Sequence, residues 1–375
     1  MTSSLPRRVL LGVELEDARH DPGSGAPVVR VHPDGTCARA GIEPGDRLYA
    51  VGGIAIASMD DARDATRRIA SLDRIAIEHA RDGEPMSTEV DLARWPVEAY
   101  DGADVELGEV GAPGARVRTI TTRPRGVRRP PCVILLQGLA RTSIDLPLHP
   151  DAPFARMVRG LSAAGFATLR VEKLAVGDSE GRPEDADFEG ELAMLRAAYD
   201  ATVASVDGVI AFGHSVGGMA LPLLRRELIG AIVFGTSARR WSECLRAGAE
   251  RQLRLRGATR EAIDATLGEL ARELPLHGTT RAYVEQLERA EIAHAWRAFE
   301  APLLALHGEH DWVVGEDEMR ELTTLVADAT FERIAGVDHA LGAHTSLADS
   351  LARYGRGEPD ERVLEAALRW IHGRR

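Results

Sequence analysis

The stretch Val209-Ile210-Ala211-Phe212-Gly213-His214-Ser215-Val216-Gly217-Gly218 decides how most of this chain folds. Its first four residues are apolar without a break, which suits a strand buried on both faces. Glycines at 213, 217 and 218 then flank a serine at the point where strand gives way to helix. A serine in such a turn is lifted to the top of a sheet, and its small neighbours tolerate the strained backbone this demands. The plainer alternative is a glycine-rich turn whose serine only caps the helix behind it.

Working outward, the same rhythm recurs. Val133-Ile134-Leu135-Leu136, Phe166 to Val171, Ala231-Ile232-Val233-Phe234 and Leu303-Leu304-Ala305-Leu306 read as buried strands. Helical stretches are expected between them near 152–163, 187–203, 217–227 and 316–326, with a last helix near 360–372. Alternating strands and helices imply a parallel sheet with crossovers. Residues 238–298 break the alternation with two or three polar, Leu- and Arg-rich helical segments. They are expected to cap the site, with Leu245, Leu253 and Leu255 packing downward.

Set between a buried strand and a helix, Gly213-His214-Ser215-Val216-Gly217 resembles the nucleophile elbow of the α/β-hydrolase family. The resemblance covers residues 103–375. It implies an α/β fold, a mostly parallel sheet with helices on both faces, an inserted helical cap, and the chain order serine, acid, histidine. Ser215 is then the nucleophile. The loop His307-Gly308-Glu309-His310-Asp311 follows a late strand and offers Asp311 as the acid, with Glu309 and Asp317 as rivals. His339, after the last expected strand Phe331–Ile334, is the base, with His344 as its rival. The oxyanion donors are expected to be the backbone N–H groups of Val216 and Leu139. Gln137 stands where the family's His-Gly motif carries histidine, which leaves the backbone donor intact. Gln137, Arg141, Glu172, His214 and Trp241 are candidate pocket residues. Glu172 and Lys173 either form a structural ion pair or touch substrate, and Arg239 and Arg240 are further candidates for a polar pocket.

A second resemblance lies upstream. Gly35 to Gly53 packs a small-residue helix, a Pro44-Gly45-Asp46 turn and a following strand into one short run. This run is similar to the centre of PDZ domains, and Arg81-Asp82-Gly83-Glu84 fits a late hairpin of that family. The family's peptide-carboxylate loop falls at Leu10-Leu11-Gly12-Val13, so a peptide or protein ligand is a possible partner, set against a merely docked accessory domain. Strands are expected at Val28–Val31 and Ile75–Glu78, and a helix from Met59 to Ile69. The domains divide as 1–98, PDZ-like, and 99–375, α/β-hydrolase-like, joined by a linker over 95–102.

Composition narrows the rest. Of 375 residues, 46 are basic and 58 acidic, a net charge of -12, which lacks the footprint of a nucleic-acid binder. Cys37, Cys132 and Cys244 are too few and too scattered for a disulfide framework, so reduced thiols and a cytoplasmic protein are expected. No leader-like segment and no apolar run of about 20 residues is seen, so no membrane partner is expected. His307, Glu309, His310 and Asp311 could suggest a metal, but they fit an acid loop better; no metal and no cofactor is expected. The expected chemistry is acyl transfer from a small or carrier-bound ester or thioester through an acyl-enzyme. An acyltransferase or peptidase shares that intermediate, and a non-catalytic PDZ scaffold is the third reading. An oligomer is compatible with all three.

Overall fold

The computed structural model describes residues 5–112 and 114–374. It divides into two compact units, one ending at Val97 and the other beginning at Glu98.

In the first unit β1 (Val13–Leu15), β2 (Ala26–Val31), β3 (Arg47–Val51), β5 (Arg74–Arg81) and β6 (Glu84–Asp91) form an antiparallel sheet in the order β1-β2-β3-β5-β6, and β4 (Ile54–Ala55) pairs with β3. Helices α1 (Thr36–Arg39) and α2 (Met59–Arg68) accompany it. Asp82 and Gly83 join β5 to β6 with φ of 52° and 85°, as a two-residue primed turn requires. Asp46, from the Pro-Gly-Asp turn, is buried; it accepts from Glu43 N and from Arg81 Nε at 2.9 Å and Nη2 at 2.8 Å. Residue composition marked β2 and β5, and the PDZ resemblance implied the strand after the Pro-Gly-Asp turn and the late hairpin, but β1 and β4 were not foreseen and β6 was given no bounds. The first two of these are too short for a period to show, and β6 presents polar residues along an exposed sheet edge.

From Glu98 onward eight strands form a second sheet: β7 (Ala103–Ala112), β8 (Ala115–Pro124), β9 (Cys132–Leu136), β10 (Ala167–Val171), β11 (Val209–His214), β12 (Gly230–Phe234), β13 (Leu303–Gly308) and β14 (Ala329–Ile334). Their order is β14-β13-β12-β11-β9-β10-β8-β7. Strands β9 to β14 run parallel, while β8 is antiparallel to both β10 and β7. Every residue of β9 is buried because alternate side chains feed two cores. Cys132, Ile134 and Leu136 join the core that includes α4 (Phe188–Thr202) and α5 (Val216–Ala220). Val133 and Leu135 join the one that includes α3 (Pro153–Ala163) and the C-terminal helix (Arg362–His372). This is the α/β-hydrolase fold.

Between β12 and β13 the chain inserts α6 (Trp241–Leu255), α7 (Arg260–Arg272), α8 (Arg281–Arg289) and α9 (Ile292–Arg297). The order of the sheet reverses between β9 and β11, so the loops after these two strands open a crevice at their carboxyl ends. Gln137 to Leu139 leave β9 and Ser215 leaves β11, one on each side of that crevice.

Three expectations change. The β7–β8 hairpin was not foreseen. The helix expected over 217–227 ends at Ala220 and tightens into a 3-10 turn, Leu221–Leu224, where Pro222 lacks the N–H that an α-helix needs. The linker expected over 95–102 is tied down at both ends. Trp95 N donates to Arg8 O in the first unit. In the second, Glu98 forms a two-pronged pair with Arg170, Nη1 at 2.8 Å and Nη2 at 2.6 Å. Among the described residues no helix is long and apolar enough to cross a membrane.

Candidate active site

Ser215 holds φ 54° and ψ -122°, a left-handed conformation that a non-glycine residue adopts only when its surroundings impose it. They do so from both sides. Ser215 N donates to Phe234 O on β12, and Ser215 O accepts from Gly218 N and from Thr236 Oγ1 at 2.7 Å. Gly217 presses on the end of β9; a methyl group there would lie 2.2 Å from Leu136 O. No larger residue fits this turn.

Across the crevice, the loop after β9 comes against Ser215. A methyl group on Gly138 would lie 3.2 Å from Ser215 Cβ. Val216 opens α5, where the first N–H groups of a helix have no intrahelical acceptor. Leu139 lines the cavity that Ser215 faces.

His339 and Asp311 meet in the loops after β14 and β13. His339 Nδ1 lies 2.8 Å from Asp311 Oδ2, and both side chains are buried. The other oxygen, Asp311 Oδ1, accepts from Val313 N and Val314 N at 2.9 Å each. Burial pushes the Asp311 carboxyl up, but the charge and hydrogen bond of His339 and the backbone donor Val314 outweigh it, leaving the group below its ordinary range. Burial likewise pushes His339 down, and the adjoining Asp311 carboxylate reverses this and leaves the imidazole above its ordinary value. Gly235, at φ 55°, makes room for the pair, since a methyl group there would lie 2.8 Å from both Asp311 Oδ2 and His339 Nδ1. Ser215 and His339 line the same cavity. Ser215 Oγ makes no hydrogen bond to His339, a contact that in such sites commonly tightens only around substrate.

The rival residues lie elsewhere. Glu309 accepts from Arg333 and Gly336 N, and Asp317 pairs with Arg239 on an exposed face. His344 is buried between Asp338 and Asp349, 3.1 Å from each. His307 Nε2 faces Val314 O, and the described residues hold no cluster of His, Cys, Asp or Glu arranged as a metal site.

The cavity measures about 740 Å³. Trp241, Leu245, Gly248 and Gln252 form one face of α6 that closes it, joined by Leu270, Pro275 and His277. Leu253 sits one position off this face and Leu255 is 39% exposed, so of the three leucines expected to point inward only Leu245 does. Among the described residues no Asp, Glu, Lys or Arg side chain lines the cavity. Of the candidate pocket residues, Gln137, His214 and Trp241 line it, and Arg141 and Glu172 do not. Arg141 donates to Leu174 O beside a separate, smaller pocket. Glu172 is buried beneath the loop after β9 and accepts from Ser143 Oγ and Ile144 N.

The sequence reading missed what Arg251 does. From α6 it donates to Trp312 O at 3.0 Å and Val313 O at 2.9 Å and pairs with Glu318, so it ties the inserted helices to the loop that carries Asp311. A lone arginine on a polar helix gives no signal of this in sequence.

Residues 9–92 match the family model described as PDZ domain. No curated protein matches the chain. Among solved structures, Est1E from Butyrivibrio proteoclasticus with bound ferulic acid is 18% identical, covering 70% of this chain and 99% of its own at a TM-score of 0.48. An esterase of Pyrococcus furiosus is 13% identical over 72% of this chain and 90% of its own, TM-score 0.47. A bromoperoxidase from Bacillus anthracis is 14% identical over 72% and 100%, TM-score 0.47. At these values the strand order above, and not these likenesses, carries the fold.

Proposed function

We propose that the second unit is a serine hydrolase acting on uncharged, apolar carboxylic esters or thioesters. The observation that carries this is the 2.8 Å contact of His339 with Asp311 beside a cavity that His339 shares with Ser215 and whose described lining holds no Asp, Glu, Lys or Arg. Ser215 Oγ attacks the acyl carbonyl and His339 Nε2 takes its proton, while Asp311 holds the Nδ1–H and the positive charge that develops. The N–H groups of Val216 and Leu139 stabilise the tetrahedral oxyanion. His339 then protonates the leaving alcohol or thiol. Water, activated in turn by His339, resolves the acyl-enzyme.

The substrate class follows from desolvation. A phosphate or free carboxylate drawn into this cavity would lose its hydration and meet no counter-charge, which is strongly unfavourable. An alkyl or aryl ester loses little and gains apolar burial of about 25 cal/mol per Å². The inserted helices act as a cap that selects the acyl group by shape.

Labelling by a fluorophosphonate, followed by a panel of neutral aryl esters and their carboxylate-bearing analogues, tests the reading. Neutral esters should be turned over with the lower KM. Unlabelled protein, or a preference for the anionic analogues, would overturn it. Product analysis with added alcohol separates hydrolysis from acyl transfer, since the triad alone does not choose the acceptor.

A further inference from the structure

Lys173 holds the loop that follows β9 and does not line the cavity. Its side chain is 5% exposed. Nζ donates to Gly138 O at 2.7 Å and to Leu139 O at 3.3 Å, and it pairs with Glu191 of α4 at 3.3 Å. An ammonium has three donors, and these three acceptors use them all. Tyr283 closes the site, with its ring centroid 5.7 Å from Nζ. Burying a charge is costly unless it is paired and hydrogen-bonded, so the arrangement is built around what the ammonium holds.

It holds one edge of the Gly138–Leu139 peptide. In a trans peptide the carbonyl and the following N–H point in opposite directions. With Gly138 O fixed on Lys173, the N–H of Leu139 is turned away from the lysine. Leu139 lines the cavity together with Ser215, whereas Lys173 does not line it. A cation on the carbonyl also polarises the peptide and makes its N–H the stronger donor.

We propose that Lys173, held by Glu191, is a positioning residue that aims the Leu139 N–H at the oxyanion formed on attack by Ser215. This rests on the serine-hydrolase reading. Lys173 touches no substrate; it acts through the peptide.

The full chain carrying Lys173→Met, Lys173→Arg, Lys173→Gln or Glu191→Gln tests it, with a neutral aryl ester and with a trifluoromethyl ketone. Ser215 Oγ adds to the ketone carbon, its proton passes to His339, and the resulting alkoxide needs the same donors as the transition state. Loss of one oxyanion donor costs about 10²-fold or more in kcat. Lys173→Met should lower kcat by about that factor with KM changed less than about 2-fold, and should weaken the ketone to a similar degree. Lys173→Arg should restore part of both. Wild-type kcat and ketone affinity in folded Lys173→Met would overturn the proposal, whatever its melting temperature. If that variant does not fold, Lys173→Gln and Glu191→Gln decide in the same way: parallel losses in kcat and ketone affinity support the proposal, and unchanged ketone affinity overturns it. Failure of the underlying reading looks different. Ser215→Ala would keep turnover, or the wild-type protein would not label.

Discussion

His214 Nε2 lies 2.8 Å from the backbone carbonyl of His339, so the residue before Ser215 holds the loop that carries His339. A carbonyl only accepts, so Nε2 carries the proton. Burial, with help from the neighbouring His339, holds the His214 pKa down at about 4, and the ring stays neutral wherever the enzyme is assayed. His214→Phe keeps the ring shape and removes the donor. It should cost about 1–3 kcal/mol of stability by leaving a buried carbonyl unpaired. It should also lower kcat about tenfold as the His339 loop loosens, because small misplacements of a catalytic group carry large rate costs. Thermal melts and steady-state kinetics measure both. A variant with wild-type values in each would show that the contact is incidental.

The three candidate catalytic side chains should separate cleanly from their rivals. Ser215→Ala should abolish fluorophosphonate labelling in a folded protein. Asp311→Asn should depress kcat by about 10⁴-fold, since His339 loses the partner that fixes its tautomer. Glu309→Gln removes the charge facing Arg333 while leaving an oxygen that can accept from Gly336 N, and Asp317→Asn removes an exposed contact with Arg239, so both should stay within a few fold of wild type. If Glu309→Gln or Asp317→Asn proves the crippled enzyme, the acid has been misassigned.

The pH profile follows from the same pair. His339 works as a base only when neutral, so kcat/KM must rise with pH through its pKa. Although burial opposes it, Asp311 raises that pKa above the ordinary histidine value, so the acid limb should fall above pH 6.5. In Asp311→Asn the largest raising influence is gone while burial remains, opposed only by the weaker fields of Asp338 and Glu318, so whatever activity survives should show its limb at lower pH. His214, at about 4, lies outside this window. A limb that stays in place in Asp311→Asn would mean that a group other than His339 is titrating.

The parts legible in sequence were those whose local chemistry admits one solution. Gly217 must be glycine because strand β9 occupies the space of a side chain, so the elbow announces itself. The buried strands do so through unbroken apolar runs such as Val133–Leu136. Asp82-Gly83 was readable because both residues take positive φ in a primed turn. What stayed hidden depends on partners distant in the chain. Lys173 and Glu172 are neighbours in sequence, yet the lysine pairs with Glu191 while the glutamate accepts from Ser143, and nothing in the dipeptide says so. The β7–β8 hairpin escaped because its strands mix glycine, charge and apolar residues without a steady period. Arg170 sat unnoticed inside a strand, and its partner lay in what read as a linker.

That partner lies at the boundary of the second unit. Arg170 and Glu98 are both almost wholly buried, and Glu98 also accepts from Leu146 N at 2.6 Å and Tyr100 Oη at 2.8 Å. Removing one member of a buried ion pair strands the other without water or counter-charge and costs about 3–5 kcal/mol. A chain cut at Ala99 would therefore lose a structural residue, Glu98. All the candidate catalytic groups lie beyond residue 130, so a chain beginning at Pro96 should fold and label with a small fluorophosphonate at the full-length rate. A chain beginning at Ala99 lacks Glu98 and should melt well below it, with Arg170→Met recovering much of the loss by removing the stranded charge. Full-length Glu98→Ala should show the same destabilisation, and Glu98→Ala with Arg170→Met the same recovery. Circular-dichroism melts of these chains give the comparison, and probe labelling at a temperature where all are folded gives the activity. Equal melting of the Pro96 and Ala99 chains would show that the pair contributes little. A folded Pro96 chain that does not label would show that the first unit supplies part of the active site.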